Sequence, residues 1–222
     1  MLEAKDVCFS YRDGEKSKQV LRNVNMNFEK GIYYAILGRS GSGKTTLMAL
    51  LSALDSPQSG SIALDGVDIK KKGLNRYRRN SIGIVFQQFH LIPYMSAMQN
   101  ILVATSISDN KAMNKAEIYT LLNSLGITED KMHRPITQLS GGEQQRVGIA
   151  RSLATKVDII IADEPTGNLD KTTQKDIIAC FQRMAHEEGK CVIVVTHSRD
   201  VANSSDVILK MDEGSLTSVD KR

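Results

Sequence analysis

Two stretches of this 222-residue chain combine residue types at spacings that handle phosphate. In GRSGSGKTT, the residues Gly38, Arg39, Ser40, Gly41, Ser42, Gly43, Lys44 and Thr45 fit the pattern G-x-x-x-x-G-K-[S/T], and Thr46 follows. Glycine lets the backbone wrap closely around an anion, so that successive N–H groups point inward at it. Lys44 adds a point charge for the β- and γ-phosphates, and the Thr45 hydroxyl is placed to ligate Mg²⁺. The second stretch is TQLSGGEQQRVGIAR, in which Ser140, Gly141, Gly142 and Glu143 open a helical pattern. Ser140 and Glu143 have the S-x-x-E spacing of a capping box, which alone would only start a helix. A start fixed in this way also presents the amides of Ser140, Gly141 and Gly142 to an anion. No second Lys-Thr pair follows, so this turn is half a phosphate site.

A metal-bound triphosphate needs a carboxylate as well. DIIIADEP places Asp163 at the C-terminal end of an apolar run, where open α/β sheets bind their ligands, on the Mg²⁺ side. Alternation along a strand turns Glu164 away from its neighbour, which suits a general base for the attacking water; the plain alternative is a solvated strand-end acid. The N-K-x-D pattern that reads guanine is missing. Asn114, Lys115, Ala116 and Glu117 come close but lie within a helical pattern, so the expected nucleotide is ATP.

These groups need a frame. The N-terminal segment reads as short antiparallel strands broken at Asp13-Gly14 and Lys30-Gly31, leading into a buried strand over residues 34–37. Leu47, Leu50, Leu51 and Leu54 recur at helical spacing after the glycine loop, as do Ile118, Leu121, Leu122 and Leu125, and later Ile177, Ile178, Phe181 and Met184. Continuous apolar runs at residues 83–86, 159–162 and 192–195 alternate with helices, which predicts a parallel sheet covered on both faces. A mainly helical stretch of about 88–154 is best placed as an insertion within one domain spanning 1–222.

Composition narrows the classes. A net charge of +4 is mild, so no nucleic-acid partner is expected. Cys8, Cys180 and Cys191 have no metal-binding or disulfide spacing and read as small core residues in a reducing cytosol. No apolar run approaches the roughly 20 residues of a spanning helix, so any membrane role must come through a partner.

At LSGGE the chain resembles the nucleotide-binding ATPase subunit of ABC transporters, a likeness that extends over essentially its whole length. The resemblance implies a P-loop NTPase (RecA-like) α/β core with an N-terminal antiparallel β subdomain and an inserted α-helical subdomain. It implies ATP and Mg²⁺ as ligands. Tyr11 then looks like the adenine-stacking aromatic, though alone it reads as a strand aromatic, and Val20 joins the nucleotide contacts. Gln87 in VFQQ resembles the Q-loop glutamine, a sensor of Mg²⁺ and attacking water. NLD, through Asp170, resembles the D-loop, and His197 in VTHS the histidine that contacts the γ-phosphate.

In that family the turn at Ser140 to Glu143 closes, with Asp170, on ATP held by the other subunit of a head-to-tail dimer. A second, identical ATPase subunit and an integral membrane permease are therefore the expected partners, at the cytoplasmic face of the plasma (inner) membrane. FHLIPYMSAMQN is either a buried loop or an apolar groove for a short helix of the permease. Lys70 to Lys72 with Arg76, Arg78 and Arg79 read as a solvated face, or as a face near anionic lipid. The motifs look most like lipoprotein-release, macrolide-efflux and antimicrobial-peptide export ATPases. The rival class is a soluble ABC ATPase acting on DNA or ribosomes.

Overall fold

The strand Cys191–Thr196 is buried along its whole length, as a strand covered on both faces must be. In a computed structural model that describes residues 1–14, 16–167 and 169–219, it lies within a six-stranded sheet. In chain order the strands are β1 (Leu2–Asp13), β2 (Lys16–Phe28), β3 (Tyr33–Leu37), β4 (Ser59–Leu64), β5 (Val67–Asp68), β6 (Ile82–Val85), β7 (Ile159–Asp163), β8 (Cys191–Thr196), β9 (Val207–Asp212) and β10 (Ser215–Val219). The helices are α1 (Lys44–Leu51), α2 (Ile69–Lys72), α3 (Leu74–Asn80), α4 (Ala97–Ile107), α5 (Lys115–Ser124), α6 (Glu129–Met132), α7 (Gly141–Ala154), α8 (Lys171–His186) and α9 (Arg199–Asn203).

The large sheet has the order β10-β9-β3-β8-β7-β6, parallel except for β10, which pairs antiparallel with β9. A second sheet, β2-β1-β4-β5, is antiparallel throughout. The fold is thus the expected P-loop NTPase core with an N-terminal antiparallel subdomain, and α4 to α7 form the helical part between β6 and β7.

The pleat divides each central strand between two cores. Tyr33, Ile160, Ala162, Val192 and Val194 pack with the helices α4, α5, α7 and α8. Their neighbours Tyr34, Ile36, Ile159, Ile161, Ile193 and Val195 pack with α1 and the antiparallel sheet.

Several local expectations are corrected. The N-terminal strands are long, not short: β1 and β2 absorb the irregular pattern through register shifts, with Asp6 and Asn23 at positive φ. Helix α1 stops at Leu51 and does not reach Leu54. The Ser52 hydroxyl donates to the Met48 carbonyl (2.7 Å), Ala53 turns left-handed (φ 55°), and Leu54 is 48% exposed. Cys180 and Cys191 are buried, but Cys8 is only partly so, with its Sγ 3.2 Å from both Oδ1 and N of Asn23. Asn114 and Glu117 form the capping box that starts α5, in keeping with a helix there.

Candidate nucleotide site

Three adjacent strands, β3, β8 and β7, end side by side: Leu37 pairs with Thr196, and Asp163 with Val195. The residues that follow are Gly38, His197 and Glu164, so the topology gathers them at the C-terminal edge where α/β sheets hold ligands.

The glycine loop is held from outside. A Cβ at Gly38 would lie 2.5 Å from the Met211 carbonyl oxygen and 2.7 Å from Ser42 Oγ. Gly43 caps α1 at φ 109°, where a Cβ would meet the Val20 carbonyl oxygen at 2.9 Å. Val20 of β2 and the β9–β10 turn thus wall the loop, and Gly214 N donates to the Ser42 carbonyl (3.1 Å). Lys44 is only 7% exposed, and its ammonium donates to the carbonyls of Gly38 (2.8 Å) and Arg39 (3.0 Å). Arg39, Ser40, Gly41 and Thr45 are exposed. The Tyr11 hydroxyl lies 3.3 Å from Thr46 Oγ1. Its ring stands edge-on to Phe9 (5.1 Å, 76°) and remains half exposed beside the loop.

Beyond β7, Glu164 adopts φ 44°, and its N–H donates to the Val195 carbonyl (2.9 Å). This left-handed residue, not the pleat, separates Glu164 from Asp163. The Glu164 carboxylate accepts from Thr196 Oγ1 (3.2 Å) and His197 N–H (3.3 Å) through Oε2, and Oε1 lies 2.9 Å from His197 Nδ1. Glutamate and histidine are therefore one paired unit, with the histidine exposed and the glutamate side chain largely covered. Asp163 is partly buried, and burial together with the charge of Glu164 raises its pKa, against the pull of Lys44.

The donors at hand for a metal are the Thr45 hydroxyl and the Asp163 carboxylate. An all-oxygen set with one carboxylate suits Mg²⁺, which leaves its other positions to phosphate and water. Gln87 is exposed, and its Nε2 lies 3.4 Å from where a Cβ on Gly167 would stand.

The second turn is capped as expected. Ser140 Oγ accepts from Glu143 N–H (3.3 Å), and the Glu143 carboxylate accepts from Ser140 N–H (2.8 Å). Lys131 pairs with Glu143 at 2.7 Å, which with the Ser140 bonds holds that carboxyl below its usual pKa. A Cβ on Gly142 would meet Thr173 Cγ2 at 2.9 Å. Thr173 Oγ1 donates in turn to Asp170 Oδ2 (2.6 Å), and Asp170 caps α8 through the N–H groups of Thr172 and Thr173. The structure thus joins Asp170 to the turn at Ser140 to Glu143 through Thr173; Asn168 of NLD lies outside the described residues.

Four contributors escaped the motif reading. Met211 acts by packing on the loop and Gly214 by a backbone hydrogen bond to it, and Thr196 looks like any strand residue although it is fully buried under Glu164. Arg151 reaches the loop after Gln87. Only the helical spacing from Ser140 could have hinted at the last of these.

The sequence profile of the ABC transporter family matches residues 21–167. An ABC transporter ATP-binding protein of Bacillus subtilis, YclH, is 43% identical over 219 residues, covering 98% of this chain and 96% of that one. A macrolide export ATP-binding/permease protein, MacB, of Rhodopirellula baltica is 41% identical; the match takes in 92% of this chain but only 31% of the MacB protein. Among solved structures, the dimeric ABC transporter cassette MJ0796 superposes with a TM-score of 0.90 at 35% identity over 100% of both chains. A post-hydrolysis dimer of the same cassette, bound to ADP and Pi, gives 0.90 at 34%, again over 100% of both. With the phosphate loop, the strand-end acids and the capped glycine turn in place on this fold, the chain belongs to the ABC transporter family as an ATP-binding cassette, an ATP hydrolase.

Proposed function

We propose that this cassette works in a head-to-tail dimer of two such subunits and drives an integral membrane permease. The permease domain is carried on a separate chain or on the same one. The work is export, efflux or extraction of a hydrophobic or peptide substrate, at the cytoplasmic face of the plasma (inner) membrane.

The observation that carries the dimer is the separation of the two phosphate turns. The atoms nearest Gly141 and Gly142 belong to Phe89, Thr173 and Arg146, and none to residues 38–45. The Ser140 N–H, expected to face an anion, is taken by the Glu143 carboxylate; the helix start has the N–H groups of Gly141 and Gly142 to offer and no phosphate of its own subunit to receive them. The partner's loop supplies that phosphate. MJ0796 being dimeric, and bound to ADP and Pi in one structure, supports the same reading.

Each residue then has a task. Lys44 leaves the carbonyls of Gly38 and Arg39 for the β- and γ-phosphates, with the loop amides around them. Tyr11 stacks on the adenine. Thr45, Asp163 and Gln87 would hold Mg²⁺, which would offset the charge of the phosphate oxygens. Glu164 takes the proton of the attacking water as general base, and His197, anchored to it, holds the γ-phosphate side. Ser140, Gly141, Gly142, Glu143 and Asp170 complete the partner's site.

The permease reading rests on the segment after Gln87. Tyr94, just before α4, is 80% exposed and Ile107, its last residue, is 61% exposed, whereas Met98 in its first turn is buried. Exposed apolar side chains at the two ends of α4 suit docking of a short apolar helix along the helical part. MacB proteins, named for macrolide export and carrying a permease, point the same way for the substrate class. Among the described residues no helix is long and apolar enough to cross a membrane.

Affinity purification from detergent-solubilised membranes tests the pairing. An integral membrane protein or domain should accompany the cassette. Recovery of ribosomes or DNA in its place would move the chain to the soluble class.

A further inference from the structure

Arg151, in the last turn of α7, is a cation held by main-chain carbonyls. Burial lowers its pKa, and among the described residues it forms no ion pair. Its guanidinium donates instead to two consecutive main-chain carbonyls, of Phe89 (Nη2, 3.0 Å) and His90 (Nη1, 2.5 Å). Withdrawing an unpaired charge from water is unfavourable, so the fork must secure something that a neutral side chain would not.

What it secures is a strained turn. Phe89 and His90 are both non-glycine residues at positive φ, 58° and 46°. Two such residues in succession persist only when their surroundings over-determine them. The turn closes around Gln87: Phe89 N–H donates to the Phe86 carbonyl (3.2 Å), and the His90 ring stacks on Phe86 (4.5 Å, 13°). At the other end of α7, the Phe89 ring edge comes within 4.0 Å of the Cβ position of Gly141. The segment that starts at Gln87 is therefore fastened to both ends of the helix that carries the turn at Ser140 to Glu143.

We propose that Arg151 is a positioning residue for hydrolysis: by clamping the Phe89 and His90 carbonyls it fixes Gln87 relative to the helix start at Ser140. This rests on the roles given above to Gln87 and Ser140. Arg151 acts through Gln87 and touches no nucleotide.

The test is a double-mutant cycle on the full chain, with Arg151→Gln, Arg151→Lys, Gln87→Ala and the pair Arg151→Gln/Gln87→Ala. Steady-state turnover and direct ATP binding are measured for each, with melting temperature as the control for folding. Arg151→Gln is expected to lower kcat by about tenfold to a hundredfold, the upper figure being that of a misplacement of about 1 Å, and to leave the Kd for ATP within about twofold. Arg151→Lys, which keeps a cation able to reach the carbonyls, should recover part of the loss. On the Gln87→Ala background Arg151→Gln should cost nothing further, because the two act in series. Native turnover in Arg151→Gln, no recovery with lysine, or losses that multiply in the double variant would overturn the proposal. If Arg151→Gln melts below the assay temperature, Arg151→Lys carries the same cycle with a smaller expected loss. Native turnover in Gln87→Ala alone would instead remove the role of Gln87, and the proposal with it.

Discussion

Replacing Glu164 by glutamine separates chemistry from architecture at this site. The side chain is isosteric, and the positive φ of residue 164 is no harder for glutamine than for glutamate. Its oxygen can stand where Oε2 stands and keep both donors, Thr196 Oγ1 and His197 N–H. Its amide nitrogen then faces His197 Nδ1 in place of Oε1. What the fold loses is the charge on one acceptor whose hydrogen-bond neighbours stay in place, on the order of 1 kcal/mol. What the reaction loses is its base, about 10²–10⁴ in rate, or roughly 3–5 kcal/mol of barrier. Turnover should therefore fall at least about a hundredfold, while the ATP Kd stays within about twofold and the melting temperature barely moves. Phosphate release, equilibrium ATP binding and thermal melts on one preparation supply the three numbers. Gel filtration with ATP should also show a trapped dimer. Near-native turnover in Glu164→Gln would remove Glu164 as the base, and a parallel loss of binding would mean that the fold had been damaged.

Gly142→Ala places a methyl 2.9 Å from Thr173 Cγ2, an overpacking cost of about 1–3 kcal/mol against about 1 kcal/mol gained in helix propensity. Thr173→Ser, which drops that methyl and keeps the hydroxyl bond to Asp170, should restore the melting temperature of the alanine variant; no restoration would refute the contact. Asp163→Asn should melt higher than the native chain at neutral pH without nucleotide, and lose Mg²⁺-dependent hydrolysis. The raised pKa means that the folded state takes up the proton first, so native stability falls as pH rises from the ordinary carboxylate value through the raised one. The gap between the two melting curves should accordingly close as the pH is lowered through that window. Tyr11→Ala should weaken ATP binding by about 1–3 kcal/mol, and Tyr11→Phe, which keeps the ring, by far less; equal losses would deny stacking.

The parallel sheet and the phosphate loop could be read from sequence because both are local signals, an apolar run and a glycine spacing. The strand bulges of β1 and β2 were hidden, since a register shift looks like an interruption until the partner strand is known. The end of α1 was hidden for the opposite reason: Leu54 continues the leucine spacing, but Ser52 and Ala53 had already turned the chain. In the site, the residue types at Lys44, Asp163, Glu164 and His197 announce their chemistry, whereas their supports do not. Thr196, Met211, Gly214 and Arg151 act on groups 32 to 173 positions away in contacts that no spacing rule encodes, as when Met211 walls Gly38. The separation of Glu164 from Asp163 was anticipated for the wrong cause, because strand alternation ends where a left-handed residue begins.

The claim at the centre is that each nucleotide site is shared between two subunits. Lys44→Ala spoils the phosphate loop, and Ser140→Arg spoils the helix start offered to the partner, so neither variant alone should form an intact site. Mixed in equal amounts, random pairing makes half of the dimers mixed, and each mixed dimer holds one site with both defects and one with none. Turnover should then return to about a quarter of the native level. A mixture no more active than its two components would contradict a shared site.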